Sequence, residues 1–339
     1  MIPMNFYLPA ELCAKVPPER RGVRRDRVRL MVLDKKSGRT EHTQFHKLGE
    51  HLRANDLIVF NESRTIPASL RGQLSNGTNI EIRLSRQKTP GLWEALPVGA
   101  GVNVGESISF SESLSARVAS VNEETPFVEL AFSLTSEKFH EEIYRIGEPI
   151  RYEYIDEPWE LDYYQTVFAA VPGSMEMPSA GRAFSWELLF QLKKQGVKMA
   201  PVRLHTGLSY LFDEKRRLGP EENEEAFAIS DETARAVHET KNSGGRVIAV
   251  GTTVVRALET AAVAAGVLRS GKGSTHLHIR PGDELKIVDG LLTGFHEPES
   301  SHLDLLSALV NPEILSRAYV EAIEEKYLWH EFGDMNLIV

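Results

Sequence analysis

The sequence predicts an α/β protein: a discontinuous three-layer α/β main domain that carries an inserted small β-barrel-like domain. Three observations lead there. Short apolar runs at 29–34 (RLMVLD) and 57–60 (LIVF) stand between polar stretches, as strands buried in a sheet do. From about residue 72 to 132 the texture changes to short alternating runs with little helical periodicity. After residue 160, strand-like and helix-like segments alternate, the pattern of parallel βαβ units whose helices cover a sheet. The expected division is 1–71 with 153–339 for the main domain and 72–152 for the insert.

Each element has its own signal. Within the insert, Asn76-Gly77 lies between two alternating runs and is the strongest short hairpin signal. GVNVGESISF (101–110), ARVASV (116–121) and PFVELAFSL (126–134) continue the series, and SEKFHEEIYRIG (136–147) reads as a helix leading out. An amphipathic spacing from 185 ends on Gly196, a helix with its stop signal, before a strand VKMAPVRL at 197–204. Ser230 caps a helix to residue 243, with Asp231 and Glu232 in the first turn, where carboxylates favour the helix dipole. RVIAV (246–250) is the clearest buried strand, and 252–266 the clearest following helix. KIVDGLLTGF (286–295) reads as a further strand and 312–327 as a closing helix.

Composition excludes some classes. The 339 residues are 42% hydrophobic and 26% charged, an ordinary globular profile with room for a large core. With 48 acidic against 39 basic residues the net charge is -9, so no global positive field attracts nucleic acid. Binding tRNA would need a local basic patch. Cys13 stands alone, which excludes an intrachain disulfide and a cysteine-based zinc site and fits a reducing compartment. No cationic-then-apolar leader opens the chain and no apolar run nears the roughly 20 residues of a membrane span. A cytoplasmic protein without membrane attachment is expected, and the oligomeric state is not legible.

Candidate chemistry sits at strand ends. RVIAV runs into Gly251-Thr252-Thr253 and a helix, where free amides suit a carboxylate or phosphate. The competing reading is a turn glycine followed by a capping threonine. His205 and His296 each follow a strand, on loops that a rigid scaffold could aim, and histidine moves protons near neutrality. Each also serves as an ordinary hydrogen-bonded strand-end residue. His276 and His278 would share a strand face, but no third metal ligand is identifiable. Gly99, Gly101 and Gly105 read as turn glycines, and no phosphate-loop motif exists. The basic cluster PERRGVRRDRVR (18–29) reads as a solvated face, and the acidic run at 221–225 as exposed.

Taken together the motifs resemble those of the S-adenosylmethionine:tRNA ribosyltransferase-isomerases of queuosine biosynthesis. NDLIVFNESRTIPASLRG (55–72), YYQTVFA (163–169), VIAVGTTVVRALE (247–259), KIVDGLLTGFHEPES (286–300) and EKYLWHEFGD (325–334) match in order and span nearly the whole chain. The resemblance implies transfer of the ribosyl part of S-adenosylmethionine to 7-aminomethyl-7-deazaguanine in tRNA, giving epoxyqueuosine without metal or redox cofactor. It implies His205 or His296 as the base. Gly251, Thr252 and Thr253 would hold the methionine carboxylate or a phosphate, and Arg64 and Arg256 would serve as fixed cations. Gln165, Thr166 and Ser179 would touch a base edge or sugar, with Pro178, Gly181, Gly207, Pro298 and Ser300 completing the substrate-binding set.

Departures from the family pattern fall in loops. Met177-Pro178-Ser179-Ala180-Gly181-Arg182-Ala183-Phe184 lacks the family's histidine, and Leu208 and Ser209 follow Gly207 where the family keeps a variable residue and a second glycine. Pro220 and Asn223 stand where the family has paired histidines, with Glu225 kept. Gly294, His302 and Asp304 also depart from it. Losing a histidine removes an acid-base group outright. Three readings stay open: the full tRNA enzyme, a divergent paralogue using S-adenosylmethionine or a related nucleoside with a small acceptor, and a non-catalytic binding protein on the same scaffold.

Overall fold

Consecutive apolar residues form the centre of one large sheet. The computed structural model describes residues 6–152, 154–208, 210–211, 216–217, 221–298 and 300–339. In chain order the sheet strands are β1 (Arg29–Leu33), β2 (Thr40–Gln44), β3 (Leu57–Asn61), β4 (Lys198–Leu204) and β5 (Glu225–Ile229). They continue with β6 (Val247–Val250), β7 (Gly271–Thr275), β8 (Gly290–Gly294) and β9 (Met335–Ile338). Side by side they run β7-β5-β4-β3-β6-β8-β9-β1-β2. The four strands β4, β3, β6 and β8 are parallel neighbours. Both flanks add antiparallel pairs: β5 on β4, β7 on β5, β9 on β8 and β2 on β1. The sheet is therefore mixed rather than a pure series of parallel units, because antiparallel neighbours need no covering crossover.

Period-two alternation places the sheet between two cores. The helices are α1 (Ser136–Ile146), α2 (Trp186–Lys194), α3 (Asp231–Asn242), α4 (Thr252–Ala261), α5 (Ser301–Leu309) and α6 (Pro312–Glu324). Leu57, Val59, Val247 and Ala249 belong to one core with residues of α3 to α6, including Val237, Val254, Leu306 and Leu315. Ile58, Ile248 and Val250 belong to the other, with Leu188, Leu189 and Leu192 of α2. Helices on both faces give the three layers. Side-chain caps start four of these helices: Ser185 accepts from the Leu188 amide, Ser230 from Thr233, Ser300 from His302 and Asn311 from Glu313.

Two expected elements are shorter than the sequence reading. The helix expected over 252–266 stops at Ala261, where Ala262–Ala264 pairs with Val267–Leu268 as a short ribbon. Gly266 at φ 71° makes the turn of that ribbon, so its pairing overrides the helix propensity of the alanines. The strand expected over 286–295 is only β8. Upstream, the amides of Lys286, Ile287 and Val288 donate to the Glu259 carboxylate instead of to a neighbouring strand. Helix α5 was not anticipated at all.

The alternating region closes into a six-stranded barrel. Its order is Val128–Phe132, Leu92–Val98, Asn79–Thr89, Ser69–Leu74, Ser107–Ser109, Ser115–Val121. Its first strand starts at Ser69, so residue 72 falls inside that strand. Leu70, Ile82, Leu84, Trp93, Val118 and Leu130 fill it, and Phe139 and Ile143 of α1 join the same core. The turn at Asn76-Gly77 puts Gly77 at φ 87°, with Leu74 and Thr78 closing the loop. Among the described residues no helix is long and apolar enough to cross a membrane.

Candidate active site

Buried strands β6 and β8 deliver their loops to one cavity of about 550 Å³ at the carboxyl end of the parallel strands. Val250, Gly251, Thr252, Thr253 and Arg256 line it, and so do Thr293 and Gly294 at the end of β8 and His296 just after it. Gly251 sits at φ 92° and ψ 153°, a region open essentially to glycine alone. A Cβ there would also lie 3.2 Å from the Ala180 Cβ. No side chain caps α4, so the competing capping role of Thr252 is absent and the helix N-terminus opens on the cavity uncapped.

Arg256 lies one turn into α4 and is already engaged. Its Nη1 pairs with the Glu225 carboxylate and its Nε donates to the Leu277 carbonyl at 3.1 Å. The Nη2 is buried with no partner among the described residues. Burial pushes the Glu225 carboxyl up, while Arg256 beside it and the Gly207 amide pull it down. The expected free cation is thus half of a buried pair, and Glu225 is buried rather than part of an exposed acidic run.

A histidine pair forms the next wall. His296 Nε2 shares a hydrogen bond with Thr293 Oγ1 at 2.8 Å. Its ring stacks on His302, centroids 4.5 Å apart and planes 10° apart. His302 Nδ1 in turn meets Ser300 Oγ at 2.8 Å. Ser300 caps α5 by accepting from the His302 amide, so its hydroxyl is engaged by the protein although the residue lines the cavity.

Carboxylates and aromatic rings that do not stand out in the sequence also line the cavity. Glu176, Glu297 and Glu331 line the cavity together with Tyr152, Tyr154 and His330. Tyr152 donates to Glu176 Oε2 at 3.1 Å, and His330 Nε2 lies 3.3 Å from Glu297 Oε1. Tyr154 stacks on His330 at 4.6 Å. These residues come from separate loops, and only the fold brings them together.

The remaining candidates lie elsewhere. Pro178, Ser179 and Gly207 line the cavity, whereas His205, Arg64, Gln165, Thr166, Gly181 and Pro298 do not. His205 is turned toward Ser63, its Nδ1 2.8 Å from Ser63 Oγ, and packs against Gly173, where a Cβ would come within 2.5 Å. Burial foremost, and then Arg203, hold its imidazole below the usual range. Gln165 clamps the backbone of Thr65, donating to its carbonyl at 2.8 Å and accepting from its amide at 3.2 Å. Thr166 Oγ1 accepts from the Phe168 amide, and Gly181 packs behind it on Thr166 and Phe168. Arg64 is exposed beside Tyr144. Gln165, Thr166 and Gly181 thus hold up the wall from behind.

His276 and His278 follow β7 rather than sharing its face. His278 Nε2 meets Asp304 at 3.0 Å. Among the described residues no group of three or more His, Cys, Asp or Glu side chains is arranged to hold a metal ion. Much of the basic cluster is spent on the fold. Arg25 pairs with Glu19 at 2.9 Å, Arg21 donates to the Phe332 carbonyl at 2.9 Å, and Arg29 lies 3.8 Å over the Tyr327 ring. Arg20, Arg24 and Arg27 remain exposed. The unexpected partners of this cluster lie in the C-terminal motif.

Comparison with known proteins shows which family the chain resembles over its length. The family model described as queuosine biosynthesis protein matches residues 3–338. The S-adenosylmethionine:tRNA ribosyltransferase-isomerase of Desulforamulus reducens is 37% identical over 99% of this chain and 98% of its own. That of Trichlorobacter lovleyi is 38% identical at the same coverage. A crystal structure of S-adenosylmethionine tRNA ribosyltransferase from Thermotoga maritima is 32% identical, covers 99% of both chains and superposes with a TM-score of 0.56. The chain matches these proteins from end to end, and it belongs to the queuosine biosynthesis protein family.

Proposed function

We propose that the chain is an S-adenosylmethionine:tRNA ribosyltransferase-isomerase. It transfers the ribosyl part of S-adenosylmethionine to 7-aminomethyl-7-deazaguanine in tRNA and gives epoxyqueuosine, with adenine and methionine released. The observation that carries this reading is the likeness to enzymes of that name over 98% or more of both chains.

The cavity supports the chemistry. The sulfonium acidifies the C5′ protons, and a base that removes one yields an ylide. Ring opening with loss of adenine, attack by the amine and epoxide closure with loss of methionine follow. No resident metal or redox cofactor enters this sequence. We assign the base to His296, the one of the two candidate histidines that lines the cavity. The start of α4 at Thr252 and Thr253 suits the methionine carboxylate, and the buried Nη2 of Arg256 offers a further donor.

One observation favours a second reading. Four glutamates in the wall, within a chain of net charge -9, disfavour an anionic acceptor. A small amine acceptor on the same scaffold is the alternative, and a binding protein without catalysis is the third possibility. The discriminating experiment incubates the protein with S-adenosylmethionine, with and without tRNA bearing the aminomethyl-deazaguanine, and follows adenine and methionine by mass spectrometry. Release that requires the tRNA supports the proposal. Release without it contradicts the tRNA assignment, and no release under either condition contradicts the enzyme reading.

A further inference from the structure

Glu331 lines the cavity but has no part in the chemistry above. Its Oε2 is buried and meets no hydrogen-bond partner among the described residues. The charged groups acting on it are Glu176, which repels it, and Arg182, which attracts it. Arg182 is committed elsewhere, to Glu19 Oε2 at 2.8 Å and to the Tyr163 carbonyl at 2.8 Å. The phenols of Tyr154 and Tyr164 also lie within its field, both hydroxyls buried. Burial and the Glu176 charge push the Glu331 carboxyl well above the ordinary carboxylate range.

Around this carboxyl stand aromatic faces. Tyr152 stacks on Tyr154 at 5.7 Å with planes 11° apart, and Tyr154 stacks on the His330 ring at 4.6 Å. Tyr152 donates to Glu176, and His330 faces Glu297. A buried acid short of a partner, a second carboxylate and a run of π faces want a compact cation. Because a sulfonium has no N–H or O–H to donate, charge and π faces are what can recognise it.

We propose that Glu331, supported by Glu176 and the Tyr152–Tyr154–His330 stack, is the subsite that selects the sulfonium of S-adenosylmethionine over the neutral thioether. This rests on the function proposed above. In the empty protein burial and the Glu176 charge favour the protonated form of Glu331. The arriving cation stabilises the carboxylate, and that proton leaves to solvent. Between the bound-state and free-state titrations of Glu331, affinity for the sulfonium therefore rises with pH, by about tenfold per unit.

The test is calorimetric titration of the full chain with S-adenosylmethionine and with S-adenosylhomocysteine, which lacks only the methyl group and the charge. Buffers of two ionisation heats report the released proton. The wild type should prefer the sulfonium, release up to one proton on binding it, and release none with the thioether. Glu331→Gln should cut the preference about tenfold or more, abolish the proton release and leave thioether affinity unchanged. Gln matches the shape of the neutral acid, and an unchanged melting temperature at pH 5 certifies the fold. Glu176→Gln should lower the preference by less.

A Glu331→Gln protein that keeps its preference overturns the proposal. Equal weakening of both ligands overturns it too, since the contact would then be to the shared ammonium or to packing. Wild-type protein that binds both ligands equally overturns it while leaving the functional reading intact. Wild-type protein that binds neither overturns both.

Discussion

His296 and His205 look alike in the sequence and differ in the fold. One lines the cavity on a stacked partner, while the other is packed against Gly173 and bonded to Ser63. His296→Asn should lower kcat by about 10²- to 10⁴-fold with S-adenosylmethionine affinity little changed, read by turnover and by titration calorimetry. His205→Asn should instead act on stability. Its imidazole is held below the usual range, so the fold binds fewer protons there than the unfolded chain. That contribution is complete above the ordinary histidine titration and is lost as pH falls through the lowered one. Thermal unfolding from pH 7.5 down to 5 should show a loss in the wild type that His205→Asn reduces. Glu331 has the opposite sign. Its raised carboxyl favours the fold below the ordinary glutamate range and ceases to as pH rises, so Glu331→Gln should raise the melting temperature at pH 8. Candidates next to a strong strand, such as Gly251, Thr252 and His296, were legible because strand ends gather ligands. Glu176, Glu331, Tyr152 and Tyr154 were not, because tertiary contact alone assembles them.

Elements with their own punctuation could be read closely. Ser185 and Ser230 start α2 and α3 as their capping chemistry dictates, and the Asn76-Gly77 turn closes its hairpin. Elements failed where another part of the chain competed for the backbone. Glu259 takes the amides of 286–288 that a longer β8 would have used, and the ribbon at 262–268 ends α4 early. The junction of β6 and α4 lines the cavity. Gly251→Ala must adopt φ 92° with a Cβ 3.2 Å from Ala180. It should cost about 1–3 kcal/mol in thermal or denaturant unfolding and weaken S-adenosylmethionine binding. An alanine protein with unchanged stability and affinity would show that this turn is not under the constraint described.

At the scale of the molecule, the alternation of textures along the chain announced a layered α/β body with a barrel set into it. What it did not announce was the mixed sheet, since strand direction depends on which segments pair and not on their composition. Net charge was likewise a weak guide. Of the basic cluster, Arg21, Arg25 and Arg29 serve the fold, and the exposed Arg24 and Arg27 both pair with Asp26. The function proposed for this body is modification of tRNA. The most direct measurement is mass spectrometry of nucleosides from tRNA carrying 7-aminomethyl-7-deazaguanine, after incubation with the protein and S-adenosylmethionine, beside a guanine-bearing control. Epoxyqueuosine is expected in the first tRNA and nothing new in the control. An unchanged aminomethyl-deazaguanine, with S-adenosylmethionine bound and the protein folded, would contradict it.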